Sequence, residues 1–431
     1  MIRSSRFWFW TVLIMIQLAF FGVALQKKNF TTKDSWEYLW QSQNLKANGS
    51  WYCGDMNQEI VPALYNQRPP AYGSFLSLLN VDISLNNIYL LFIIQIGLSL
   101  LTIFITVQFV KLFLGEEWNR LWLLIPLVFF PSQFVYCNML MSEILFQLFV
   151  LLSIYFIARL IKHSQMKDLW WSQWCVAISM AIKPVMWLFP FVALVSFLIY
   201  FFQNKVKLMA LITFIIPFST ITFFFNYSHV KTGLWEFSSI QRKLMINYNS
   251  YAILKDVFNE EEAVKTISEF QNSVDTLSYI EKCRVIDEFN KEVIMHHPMS
   301  AIKSELSGMF LFFAGHPRWD LEVFSIGNLN DIQPFRPDSR LSSIAYYSYL
   351  FACSFIGLII LFAFLKFIFS RHISYSLRGC IASIVIYFAV VTGPSASTRF
   401  RLPVFPILMA TFCVVAHELA NKRKSAATYS E

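Results

Sequence analysis

Apolar stretches of bilayer-spanning length, or close to it, recur along this sequence and constrain its fold more than any motif does. They lie near 7–25, 88–113, 121–136, 144–161, 170–182, 185–202, 208–225, 344–369, 377–392 and 401–417. A helix needs about 20 mainly apolar residues to cross the hydrocarbon. Only helices and closed barrels can cross it with every backbone polar group satisfied. The expected fold class is therefore all-α and polytopic, a bundle of about 10 transmembrane helices. Composition agrees: of 431 residues 56% are hydrophobic and only 14% charged, where a soluble domain carries about 25% charged residues.

The net charge of +8 would point to nucleic acid in a soluble protein. Here the basic residues sit in short connections between apolar runs, where they orient the chain in the bilayer; nucleic acid is not an expected partner. Arg3, Arg6, Lys111, Arg120, Arg159, Lys162, Lys167, Lys205, Lys207, Lys366, Arg371, Arg378 and Lys422-Arg423-Lys424 share one side, read as cytoplasmic. Short outer loops carry only Lys183, Arg399 and Arg401. An even number of spans puts both termini in the cytoplasm, and Phe7–Leu25 reads as a retained signal anchor. The expected location is a membrane, multi-pass, with the polar candidate residues on its outer face.

The chain divides into a membrane bundle, 1–225, with a first outer loop at 26–87; an outer helical segment, 226–343; membrane helices in 344–420; and a cytoplasmic tail, 421–431, expected to be disordered. Helical spacing of Val264, Ile267, Phe270, Val274, Leu277 and Ile280 makes the outer segment a cap packed on the bundle. Ala301–Ala314 is apolar enough for an interfacial or re-entrant helix. The seven cysteines show no metal or redox spacing. Cys53, Cys137 and Cys283 fall on the outer side, and a bridge among them is left open.

The residues able to do chemistry gather at the outer face. Asp34 and Glu37, three apart, share a helix face and can act together on a proton, a metal or a hydroxyl. The alternative is a capping box, with Asp34 at N-cap and Glu37 at N3. Arg68 precedes Pro69-Pro70, which mounts a permanent cation on a stiff, extended segment. Glu143 opens a span, where a carboxylate faces a cavity or meets the helix dipole. Arg68, Lys183, Arg399 and Arg401 run against the positive-inside bias; Arg68 and Lys183 directly precede proline and Arg401 lies two residues before Pro403, and the set suits a phosphate or pyrophosphate pocket. His296-His297 has no third ligand at zinc spacing, and neither His316 nor Asp320 carries a signal.

These motifs occur in a recognisable order. Asp34 with Tyr38 is followed by Asn44, Asn48-Gly49 and Arg68-Pro-Pro-Ala-Tyr72 with Phe75-Leu76. Met141-Ser-Glu143-Ile-Leu-Phe146, Ile182-Lys183-Pro184, Asn226-Tyr227, Thr232-Gly233 and Arg399-Phe-Arg401-Leu-Pro403-Val-Phe-Pro406 come after them. The ordered set resembles the bacterial membrane glycosyltransferases of the GT-C superfamily, in particular the protein O-mannosyltransferase and aminoarabinose-transferase type (glycosyltransferase family 39). The resemblance implies a GT-C-like bundle with the active site in its first outer loop. It also implies a polyprenyl-phosphate-linked sugar donor, inversion at the anomeric carbon, a cell-envelope glycan, lipid or protein as acceptor, and a multi-pass location in a bacterial inner membrane with the site on the periplasmic face.

In that reading Asp34 and Glu37 are catalytic, with Asp34 the general base if burial or Glu37 raises its pKa. Tyr38, Arg68, Tyr72, Glu143, Lys183, Arg399 and Arg401 bind substrate. Two departures stand out: the first-loop acids are separated by two residues, not adjacent as in some relatives, and Lys183 stands where the family tends to have arginine. No metal set is readable and a divalent ion is left open. The alternatives are an O-antigen ligase or polymerase using a pyrophosphate-linked donor, and a lipid or sugar transporter without covalent chemistry. Clustering of the polar residues at one face, with no sequence-related halves, favours the transferase.

Overall fold

The computed structural model describes residues 2–28, 30–116, 118, 120–204, 208–326 and 340–428, and the regular elements among them are all helical. The first half comprises α1 (Ile2–Lys27), α2 (Lys33–Asn48), α3 (Pro70–Leu78), α4 (Ile88–Leu114) and α5 (Pro126–Phe129). It continues through α6 (Ser132–Cys137), α7 (Glu143–His163), α8 (Met166–Ile182), α9 (Phe189–Asn204) and α10 (Ile215–Thr232). The outer segment holds α11 (Ile240–Leu244), α12 (Tyr251–Val257), α13 (Glu260–Val274), α14 (Tyr279–His296), α15 (Pro298–Ala314) and α16 (Arg318–Ile326). Last come α17 (Arg340–Ile368), α18 (Tyr375–Thr392), α19 (Thr398–Arg401) and α20 (Phe405–Thr428).

Among the described residues, seven helical stretches are long and apolar enough to cross a membrane: Phe7–Lys27, Ile88–Leu114, Glu143–His163, Ala210–Thr232, Ser342–Ile368, Tyr375–Ser395 and Thr398–Asn421. Three of the ten expected stretches are shorter or broken. Residues 121–136 form a 3-10 turn and the short α5 and α6, because Pro126 and Pro131 lack the N–H a continuous helix needs. Helix α8 has 17 residues; Pro184 then opens a turn before α9, which has 16.

Position in the bundle follows from what each helix can bury. The window of α20 is 72% buried, so it forms the central post, whereas that of α1 is 17% buried and lies at the edge. Even so, α1 is tied in by Leu13, Ala24 and Gln17. Gln17 Nε2 donates to Ser99 Oγ at 2.9 Å, a bond Gln133 Nε2 also makes, at 2.8 Å. One apolar core joins α4, α7, α17, α18 and α20 through residues such as Phe146, Leu151, Phe364, Ile384 and Leu408. A second seats α2 and α3 on α4, α6 and α7 through Tyr38, Tyr72, Leu76, Phe92 and Ile144.

The cap packs around Ile246, Ile253, Ala263, Ile267 and Val293. Asn259 caps α13 and a Ser278–Glu281 box starts α14. The expected stripe is only partly inward, since Val264 and Ile280 are exposed. Helix α15 runs beside α17 and ends against its middle, where Gly357 meets the Phe313 carbonyl. All seven cysteines are free, the outer-side Cys53, Cys137 and Cys283 included. The expected disordered tail is instead helical through Thr428, and residues 429–431 lie outside the described part.

Candidate active site

The first turn of α2 sets up the site. Its N-cap is Thr32, which forms a capping box with Ser35; the Thr32 N–H donates to Ser35 Oγ at 2.8 Å. The alternative reading of Asp34 and Glu37 as the box is thereby overturned, because the helix begins two residues earlier. Both carboxylates are left free to face inward. Ser35 Oγ also donates to the Leu140 carbonyl at 2.7 Å, which pins the turn to the chain just before α7.

Arg68 approaches from the segment before α3. Pro69, with φ −58° and ψ 151°, holds that segment extended, and Gln41 Nε2 anchors the Arg68 carbonyl at 3.0 Å. The guanidinium donates from Nη2 to Asp34 Oδ1 at 2.7 Å and from Nε to the Glu37 carboxylate. It lies 5.5 Å from the Tyr38 ring centre. Tyr38 meets Tyr72 edge-on at 4.8 Å, and its hydroxyl pairs with Ser142 Oγ at 3.1 Å. Tyr72 turns away from the charges and donates to Gln95 Oε1 at 3.0 Å.

Glu143 is the first residue of α7 and fully buried. Its Oε1 accepts from Lys183 Nζ at 2.7 Å and from Arg399 Nε at 2.6 Å, while its Oε2 is buried without a partner. Arg399 closes the cluster by donating from Nη2 to Asp34 Oδ2 at 2.7 Å. The result is one alternating chain, Glu37–Arg68–Asp34–Arg399–Glu143–Lys183, with three acids and three cations. Side-chain exposure runs from 0% at Glu143 to 25% at Asp34. The pairs are too buried to be ordinary surface salt bridges, yet Asp34 remains reachable from outside.

The electrostatics correct one expectation. Burial alone would raise the Asp34 pKa, but Arg68 and Arg399 outweigh it and hold the carboxyl well below the usual range. A resting Asp34 is therefore a weak base, not a raised-pKa one. Burial pushes the Tyr38 phenol up to about 12, so it stays protonated as a hydrogen-bonding group.

Arg401 does not join the cluster. It is buried against the rings of Phe130 and Phe405, with its guanidinium carbon 4.3 and 5.5 Å from their centres. It donates to the carbonyls of Phe313 and Gly315 and so caps the end of α15. Asp320, passed over in the sequence, is fully buried. It accepts from Ser132 Oγ, from Tyr136 OH at 2.7 Å and from Thr398 Oγ1 at 2.7 Å, and through Thr398 it fixes the residue next to Arg399. Its partners come from two distant segments, so no local pattern announced it. Among the described residues no three His, Cys, Asp or Glu side chains are grouped to hold a metal ion.

The sequence matches no protein-family model and no curated protein. Among solved structures, one similar chain is the archaeal oligosaccharyltransferase AglB from Archaeoglobus fulgidus, in complex with an inhibitory peptide and a dolichol-phosphate. The likeness covers 99% of this chain and 52% of that one, at 12% identity and a TM-score of 0.45. This chain therefore spans about half the length of that protein.

Proposed function

We propose that the chain is an inverting membrane glycosyltransferase. It moves a sugar from a polyprenyl-phosphate-linked donor to a cell-envelope glycan, lipid or protein at the outer face of the inner membrane. The observation that carries this reading is the convergence of Arg68, Lys183 and Arg399 on Asp34, Glu37 and Glu143 at one end of the bundle. The ordered motifs of the GT-C type support it.

The acceptor oxygen attacks the anomeric carbon and its proton passes to an Asp34 carboxylate oxygen. The bond from that carbon to the phosphate oxygen breaks, and polyprenyl phosphate leaves with the electron pair. The leaving group needs charge neutralisation, which preorganised guanidinium and ammonium groups supply at low reorganisation cost. In the resting site those cations are occupied by carboxylates. A donor phosphate competing for Arg399 and Arg68 relieves Asp34 of part of its positive field and raises its basicity as the acceptor arrives. The unpartnered Glu143 Oε2 is an acceptor for a sugar hydroxyl.

The test uses purified protein in lipid with radiolabelled polyprenyl-phosphate hexoses and a crude envelope extract, with and without chelator. Wild type is expected to label an extract component, and Asp34→Asn to lose activity while inserting normally. Full activity in a correctly inserted Asp34→Asn protein removes the base assignment. No transfer from any monophosphate donor removes the proposed donor class.

A further inference from the structure

A cavity of about 230 Å³ lies among α7, α8, α9 and α18, remote from the charged cluster. It begins at Ser153, ten residues along α7 from Glu143, or about 15 Å at the helical rise, and continues to Ile161. The wall is formed mainly by apolar side chains such as Ile157, Val176, Phe189 and Phe197, with serine hydroxyls such as those of Ser153, Ser172 and Ser383 turned to backbone carbonyls, and no charged residue appears among the described lining residues. Two features show that the space suits a ligand. Gln173 lines it, is only 2% exposed, and its Oε1 has no hydrogen-bond partner. An unpartnered amide oxygen in apolar surroundings carries a desolvation cost that a bound donor removes. Gly379 also lines the space, at its exposed rim on α18, and has nothing within 4 Å of where a Cβ would stand.

We infer that this cavity binds an uncharged lipid alcohol, its hydrocarbon body against the apolar wall and its hydroxyl donating to Gln173 Oε1. The absence of lining charge among the described residues argues against a phosphorylated head, which needs cationic partners. The orphaned acceptor argues against a chain with no donor. An isoprenoid alcohol and an acylglycerol share this chemistry. The site does not depend on the proposed transfer reaction.

The test is saturable binding of radiolabelled farnesol to the full-length protein in phosphatidylcholine nanodiscs, competed by farnesol, farnesyl methyl ether or dioctanoylglycerol. The ether keeps the hydrocarbon body and lacks only the donor. Wild type should prefer farnesol to the ether by about fivefold, Gln173→Leu should abolish that preference, and Gly379→Leu, which fills the space, should remove binding. Competition by dioctanoylglycerol matching farnesol extends the class to acylglycerols; its failure confines it to isoprenoid alcohols. Equal affinity for alcohol and ether, no saturable binding to wild type, or binding that survives in Gly379→Leu overturns the inference. Should Gly379→Leu not fold, the Gln173→Leu comparison decides alone.

Discussion

Arg399 is the joint of the charged cluster, because one planar guanidinium reaches both Asp34 and Glu143. A lysine is a single point charge and cannot serve two carboxylates with that geometry. Arg399→Lys is therefore expected to lower turnover by about 100-fold or more while the protein still inserts, measured as transfer rate per inserted protein. Arg399→Ala leaves Glu143 with Lys183 alone and should cost about 3–5 kcal/mol of stability, read as a lowered unfolding midpoint in detergent. Arg401, two residues on, lies about 200° round the helix and faces elsewhere. The sequence grouped the two arginines as outer-face cations; helical geometry separates them.

Asp34 gives a pH prediction of definite sign. Its folded pKa lies below the ordinary 3.8, so its contribution to stability is fully present above about pH 5 and is lost as pH falls through 3.8 toward the folded value. Thermal midpoints of wild type should hold from pH 7 to about 5 and then drop, with a shallower drop in Asp34→Asn. Identical acid profiles would show that the two arginines do not depress this carboxyl.

At the scale of elements, the site depends on close backbone approaches. A Cβ on Gly308 of α15 would clash with the backbone of Gly393 and Pro394, in the turn that leads into α19 and Arg399. Backbone cannot swing aside as a flexible side chain can, so Gly308→Ala should cost about 1–3 kcal/mol and reduce transfer activity together with stability. Gly73 on α3 similarly abuts the Gln41 side chain that holds the Arg68 carbonyl. The start of α2 was legible as a helix start but mis-set by two residues. Thr32 and Ser35 satisfy the same capping chemistry as Asp34 and Glu37 would, and only the contact of Ser35 with Leu140 favours one over the other.

At the scale of the whole molecule, the proposed orientation with both termini cytoplasmic requires that residues 121–136, α8 and α9 cross together with the seven long stretches, and it has a direct check. A fluorescent protein fused after Glu431 should fluoresce. A phosphatase inserted in the turn between α13 and α14 should be active, as it is only when exported. The reverse pattern would invert the molecule and remove the periplasmic site.

The sequence by itself determined that this chain is a helical, polytopic membrane protein, since apolar length is a local property and lipid admits few backbones. It also placed Asp34 and Glu37 on one face, singled out Arg68, Lys183, Arg399 and Arg401 as outer-face cations, and marked Glu143 as a costly carboxylate opening a span. Only the tertiary structure decided how they pair. The Asp34–Arg399 contact joins residues 365 positions apart, and no local spacing encodes such a distance. The same packing turned Arg401 into a helix cap, buried Asp320 among three hydroxyls and pushed the Asp34 pKa down instead of up. Each of these outcomes depends on which side chains share a low-dielectric interior, and that is settled only when the helices pack.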